Sequence, residues 1–420
     1  MSINEKILRL INKLNSHKKI IENYFFMTIL QVLNSFFYLL IYPYLIRTLG
    51  MDNYGLFVFA TSIASYFIFF VNFGFDMPAT KEVALNINNK EKISEVVSNV
   101  FTAKVYLFLI SIIVFSCLLF MIPLFKKNSI IFLLCFLQVI SFIVFPQWYF
   151  QAIQKMRIVT YIQLGIKVFS LPFIFLFVKG TSDLIIYVLI VSLSSIIGGI
   201  IAAMILKFDH KINVHIYKFS KTKSWYKDAF PFFLSTSAGV IKEQSITLII
   251  GAFFGMREVA VYDLASKIII VPRTIFMSIN AAIFPKIISD IKVSSIKKII
   301  KIETLISISV IGFILLFGKF IIEFMGGESM IQAYPLAVLL SITVMTWLVV
   351  GAYISFVFIP QEKYYYVSKN QFIALSSFVI YALIGLSIFQ NILVFGVAMA
   401  LSGLTEVFYC KFITRKHKLL

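Results

Sequence analysis

The chain has 420 residues, of which 60% are apolar, 16% aromatic and only 14% charged, with a mean hydropathy of +0.94. No water-soluble domain buries that much apolar surface, so the composition excludes a soluble enzyme or binding module and makes lipid the solvent. A net charge of +19 would suggest nucleic acid in a soluble chain, but its placement here reads as a topology device, and nucleic acid is not an expected partner.

Residues 1–22 are polar and basic, with no small-residue cleavage site, so no removable signal peptide is expected. Ile3, Ile7, Leu10, Ile11 and Leu14 share a helical face, which predicts a short amphipathic helix on the cytoplasmic membrane surface. Apolar runs of about 20 residues, the length that crosses a roughly 30 Å hydrocarbon layer, then recur from Tyr24 to Ile413. They predict twelve spans: 24–46, 54–75, 99–124, 129–150, 158–178, 182–206, 229–254, 259–285, 302–324, 332–358, 366–389 and 392–413. Six precede and six follow the longest connection, 207–228, which divides an expected bundle at 23–206 from one at 229–413, before a basic tail at 414–420.

An even number of spans puts both termini on one side. That side holds 27 Lys and Arg residues, counting Lys369 and Lys411 at span edges, against Arg47, Lys126, Lys127, Lys179 and Arg257 on the other. Such an imbalance places both termini in the cytoplasm, with attraction to anionic membrane lipid as a secondary effect. Cys117, Cys135 and Cys410 all sit in apolar runs without metal-ligand spacing. They read as small buried hydrophobes, and no metal or cofactor is expected.

The run GMDNYGLFVFA (50–60) aligns with GMREVAVYDLA (255–265) at an offset of 205, in equivalent turns before spans 2 and 8. Extending the alignment to Lys81 and Lys286 gives five identities in 32 positions. Matching topology supports the weak repeat and predicts two parallel halves related by an axis along the membrane normal.

The stretch NYFFMTILQVLNSFFYLLIYPYLIRTLGMDNYGLFVFATSIASYFIFFVNFGFDMPATKEVA (23–84) resembles the N-terminal region of bacterial polysaccharide transporters, the Wzx-type O-antigen flippase group. PFFLSTSAGVIKEQSITLIIGAFFG, the Tyr-containing start of span 8 and the FPKI exit (284–287) are similar to the same family, so the resemblance spans essentially the whole chain. It implies an all-α fold like the multidrug and toxin extrusion (MATE) transporters, with two six-helix bundles around a central cavity. It further implies a flippase that moves undecaprenyl-pyrophosphate-linked oligosaccharide between leaflets of the inner membrane, alongside polysaccharide polymerase and chain-length machinery.

An ionisable group inside a span needs a partner, a wet cavity or an interface to reach. Asp76, before Pro78 and Lys81, reads as a cap or gate, whereas Lys104 and Lys319 lie close enough to span ends to snorkel. Lys167 in span 5 and Lys242 and Glu243 in span 7 are central. Span 8 carries Asp263 and Lys267 four apart on one face, with Arg273, beside Pro272, about 80° round the helix. One reading makes Lys242, Glu243, Asp263 and Lys267 an interhelical ion-pair cluster. The other lines a cationic cavity with Lys167, Lys242, Lys267 and Arg273 for a pyrophosphate or acidic sugars, Arg gripping phosphate in a fork. Pro172, Pro231, Pro272 and Pro360 predict kinks.

No His falls within a span, so a coupling ion would use Asp76, Glu243, Asp263 or Glu406, with Asp263 and Glu243 foremost. Two other function classes compete. A multidrug or cation antiporter of the same fold would favour an acidic cavity, against the predominance of Lys and Arg in these spans. A membrane O-antigen polymerase or ligase would need a large external loop with catalytic Arg or His, and none is present; nor is a nucleotide-binding loop or nucleophile triad. The chain is therefore not expected to be an enzyme.

Overall fold

The computed structural model describes the backbone of residues 3–289 and 293–420 and the side chains of residues 22, 25–276, 294 and 296–420. The apolar face of the N-terminal helix and the side chains of the 284–287 exit lie outside the described residues. In chain order the α-helices are α1 (Ile3–Asn72), α2 (Asp76–Leu85), α3 (Lys90–Met121), α4 (Pro123–Lys127), α5 (Ser129–Val144), α6 (Gln147–Ala152), α7 (Met156–Phe177), α8 (Leu184–Met204), α9 (Phe219–Phe253), α10 (Met256–Ser289), α11 (Val293–Gly326), α12 (Ala333–Tyr353), α13 (Tyr364–Ile388) and α14 (Leu393–Lys416). Among the described residues there is no strand.

Nine helical stretches among the described residues are long and apolar enough to cross a membrane. One of them, Phe25–Asn72, has 48 residues, about 72 Å of helix and more than twice the hydrocarbon thickness. Gly50 breaks it, with φ 77° and ψ 165°, a backbone conformation open to glycine at little cost. The hydroxyls of Tyr38 and Tyr54 are 2.9 Å apart, whereas sixteen residues of unbroken helix would separate them by about 24 Å. The chain therefore doubles back at Gly50, as the expected spans 24–46 and 54–75 require. Gly255, its partner at the repeat offset, also has positive φ, 97°, so the sequence repeat has a backbone counterpart. The long helices α9 and α10 cover most of the spans expected at 229–254 and 259–285 but are not among the nine; Lys242 and Glu243 lower the hydropathy of α9, and the described side chains of α10 end at residue 276.

The span expected at 129–150 is α5 and α6, interrupted before Pro146, where Phe145 is extended (φ −88°, ψ 97°) as residues preceding proline prefer. Pro172 and Pro231 lie inside continuous helices, α7 and α9.

Packing divides the chain into two compact units. The first comprises Met1–Asn34, Ala64–Phe177 and Ile185–Phe233, and the second Ser35–Ile63, Val178–Leu184 and Leu234–Leu420. Residues 35–63 and 178–184, within the expected 23–206 bundle, thus pack with the later part of the chain. In the first unit Phe67, Phe115 and Phe136 form an aromatic core, with Phe115 and Phe136 stacked at 4.1 Å. In the second, Val349, Phe356, Val357, Phe358 and Cys410 are buried together between α12 and α14. The outer face of α11 presents Leu305, Phe313, Leu316 and Phe320, a surface suited to hydrocarbon rather than water.

Candidate functional site

Three polar clusters occupy the second unit, and each is built from helices that are otherwise apolar. The first centres on Asp263 of α10. Its Oδ2 accepts hydrogen bonds from Tyr38 at 2.5 Å and Tyr54 at 2.9 Å. Tyr38 and Tyr42 are one helical turn apart on α1, and Tyr54 returns after the Gly50 reversal; the Tyr42 ring packs edge-on against Tyr54 at 5.1 Å. Lys267 places its ammonium 4.7 Å from the centre of the Tyr38 ring, a cation–π contact. The i,i+4 pairing expected between Asp263 and Lys267 is not among the ion pairs of the described residues; both side chains turn to Tyr38 instead. The tyrosines win because two hydroxyls delivered from α1 satisfy the carboxylate while the ring still offers the cation a negative face.

Arg273 forms the second cluster. Its guanidinium carbon lies over the Trp347 ring of α12, 3.1 Å from the ring centre, and its Nη2 is 3.5 Å from Glu243 Oε1. The ring contact and the Glu243 carboxylate together restrict where the guanidinium can sit.

Lys242 forms the third with residues far away in sequence. It donates to Ser402 Oγ at 2.9 Å and to Glu406 Oε1 at 3.3 Å, while Asn370 donates to Glu406 Oε2 at 3.1 Å. Lys242 and Glu406 are only 12% and 15% exposed. Lys242 and Glu243, adjacent in sequence, thus point to different neighbours because successive helical residues are about 100° apart. The expected four-residue ion cluster resolves into separate arrangements, with Glu406 as the partner of Lys242.

In the first unit Lys104, expected to snorkel, is buried and donates to Asn72 Oδ1 at 2.9 Å and Asp76 Oδ1 at 3.2 Å. Asp76 opens α2 just after a turn through Phe73 and Gly74, both at positive φ. Lys167 donates to Asn34 Oδ1 at 2.7 Å. Sequence reasoning missed Tyr38, Tyr42, Tyr54, Trp347 and Asn370. The i,i+4 spacing of Tyr38 and Tyr42 was the available signal for the first two; nothing local marks the others.

Residues 20–292 match the family model described as "Polysaccharide biosynthesis protein", well over half of the chain. The chain belongs to the polysaccharide biosynthesis protein family. Relatives of this family member include a "Putative O-antigen transporter" of Escherichia coli (strain K12), 29% identical over 302 residues, 72% of each chain. A protein of the same name from Shigella dysenteriae is 22% identical over 256 residues, 60% of this chain and 64% of that one. Among solved structures, an inward-facing multidrug resistance MATE family transporter of the MOP superfamily aligns with a TM-score of 0.69 at 14% identity, covering 91% of this chain and 95% of its own. The lipid II flippase MurJ, in an inward closed conformation, aligns with a TM-score of 0.68 at 14% identity, covering 94% and 86%. At that identity the two alignments establish the fold: the polysaccharide biosynthesis family member is a multi-pass helical membrane protein of MATE-like architecture.

Proposed function

We propose that this family member is a flippase that moves undecaprenyl-pyrophosphate-linked oligosaccharide units of O-antigen or a related surface polysaccharide from the cytoplasmic to the outer leaflet of the bacterial inner membrane. The observation that carries the reading is the family match, joined to a relative over 72% of the chain that is named as an O-antigen transporter. A pyrophosphate and a string of sugar hydroxyls cannot enter hydrocarbon unaided, so the carrier must supply a polar route. In this reading twelve spans form two six-helix bundles, 23–206 and 229–413, around a central cavity that opens alternately to either side. Both termini and the 207–228 connection are cytoplasmic.

Arg273, Lys242, Lys267 and Lys167 supply positive charge for the pyrophosphate or acidic sugars. Arg273 is the strongest of them, since its contact with Trp347 restricts where it can sit and a guanidinium presents five donors in a fixed fork. Asp263, held by Tyr38 and Tyr54, is the leading coupling carboxylate, ahead of Glu243 and Asp76. A polymerase and chain-length machinery would take the product. The MATE alignment supports a drug antiporter only through the fold, whereas Lys and Arg within the spans support an anionic cargo.

The test is genetic. A strain lacking the gene accumulates lipid-linked sugar facing the cytoplasm, and the wild-type gene clears it. Clearance by Arg273→Ala and Lys242→Ala at normal protein levels overturns the cationic site; restored drug resistance without polysaccharide favours the antiporter.

A further inference from the structure

Between α8 and α9, residues 211–218 are neither helix nor sheet, and the alternate residues Asn213, His215 and Tyr217 are tied to α3. The Asn213 carbonyl accepts from Ser94 Oγ and, at 3.5 Å, from Ser98 Oγ. The His215 N–H donates to Ser98 Oγ at 2.9 Å, and its carbonyl accepts from Thr102 Oγ1 at 3.3 Å. The Tyr217 N–H donates to Thr102 Oγ1 at 3.2 Å, and its carbonyl accepts from the Tyr106 hydroxyl at 3.1 Å. Ser94, Ser98, Thr102 and Tyr106 are spaced by four, so they rise up one face of α3 about 6 Å apart. Alternate residues of an extended chain repeat every roughly 6.6 Å. The two periods match, and a helical ladder of hydroxyls reads one edge of residues 213–217. Ser98 and Thr102 are fully buried beneath it.

The opposite edge is open. Among the described residues the backbone N–H and C=O groups of Val214 and Ile216 have no protein partner, yet their side chains are 41% and 75% exposed, and Phe219 is 53% exposed. Lys211, Lys218, Lys221 and Lys223 flank them in sequence, Lys221 being paired with Glu95 at 3.5 Å. The strap lies where α3 passes from Lys90, Glu91, Lys92 and Glu95 into its apolar stretch, continuous with exposed Leu109, Ile110 and Ile113 further along. An open backbone edge is untenable in hydrocarbon, and a cluster of exposed Ile, Val and Phe is out of place in water. The headgroup layer suits both. It gives water and phosphate oxygens to the free backbone and the lysines, and the acyl boundary to Ile216 and Phe219.

We propose that the 211–219 strap is a membrane-surface anchor that binds anionic phospholipid, held in shape by the α3 hydroxyl ladder. This does not depend on what the protein transports. Full-length protein with Cys117, Cys135 and Cys410 replaced is labelled at Ile216→Cys with an environment-sensitive dye and reconstituted into zwitterionic vesicles with or without phosphatidylglycerol. The expected result is blue-shifted emission, quenched by nitroxides near the headgroups, shielded from aqueous iodide, and about twofold more strongly quenched by the nitroxides when phosphatidylglycerol is present. Ser98→Ala with Thr102→Ala should expose the dye to iodide. Where that pair disturbs folding, judged by thermal unfolding in detergent, Tyr106→Phe should give a smaller change in the same direction. Water-like emission with equal iodide quenching in both vesicles overturns the anchor, as does emission independent of phosphatidylglycerol. An Ile216 label unmoved by any ladder variant overturns the ladder as its support.

Discussion

Arg273 and Lys242 carry comparable charge but are held differently, and single substitutions should separate their roles. Arg273→Lys keeps the charge and loses the guanidinium contact over Trp347, so transport should fall about tenfold or more at normal protein abundance, a loss of about 1.4 kcal/mol of binding discrimination. Recovery of full transport by Arg273→Lys in a flipping assay would show that charge alone suffices. Lys242 and Glu406 behave as a buried pair. Lys242→Met or Glu406→Gln, each leaving its partner uncompensated, should cost about 3–5 kcal/mol, and Lys242→Met with Glu406→Gln together less than the sum; thermal unfolding in detergent measures this. Outside the spans, burial and then the nearby Lys155 lower the His210 pKa below 6.5, and the Tyr149 hydroxyl is 2.7 Å from its Nδ1. The folded state therefore binds this proton less readily than the unfolded chain. The His210 contribution is complete above pH 6.5 and is lost as pH falls below that value. His210→Gln should flatten that slope in unfolding temperature against pH.

At the scale of elements, the reversal at Gly50 brings Gly55 against the backbone carbonyl of Met256 at the start of α10. A Cβ there would overlap backbone, which cannot swing aside as a side chain can. Gly55→Ala should destabilise by about 1–3 kcal/mol or more, whereas Gly165→Ala in α7, with open space around it, should be neutral or slightly stabilising; relative unfolding temperatures decide. The spans were legible in the sequence because lipid selects for length and hydropathy, and both properties are local. The Gly50 and Gly255 turns were legible through the repeat. The short helix α2 and the hydroxyl ladder were not, because each depends on a neighbour distant in sequence, whereas the break before Pro146 was marked locally by the proline itself. The same holds at the candidate site. Asp263 and Lys267 stood out as charges, but their nearest partners in sequence were each other, and only the return of α1 places Tyr38 between them.

Across the whole molecule, the turns expected on one face of the membrane meet one another within each unit. Arg47 donates to the Phe324 carbonyl at 2.9 Å and Asn53 to the Thr181 carbonyl at 2.8 Å, joining turns expected outside. In the first unit Thr80 reaches the Trp148 carbonyl at 3.4 Å, and Lys155 and His210 approach to 3.4 Å, joining turns expected inside. This arrangement supports the alternation of spans; the Lys and Arg imbalance, which puts the termini in the cytoplasm in the proposed topology, predicts that impermeant thiol reagents added to intact cells spare a cysteine at Lys418 and label one at Lys126. Movement of an anionic lipid-linked glycan is open to direct measurement by reconstitution. Proteoliposomes holding purified protein and undecaprenyl-pyrophosphate oligosaccharide are sampled with a lectin or glycosidase confined to one side. Protein-dependent transfer of the glycan across the bilayer, abolished by Arg273→Ala, is the expected result; transfer no faster than in empty liposomes, with correctly folded protein and its native glycan, would rule out a flippase.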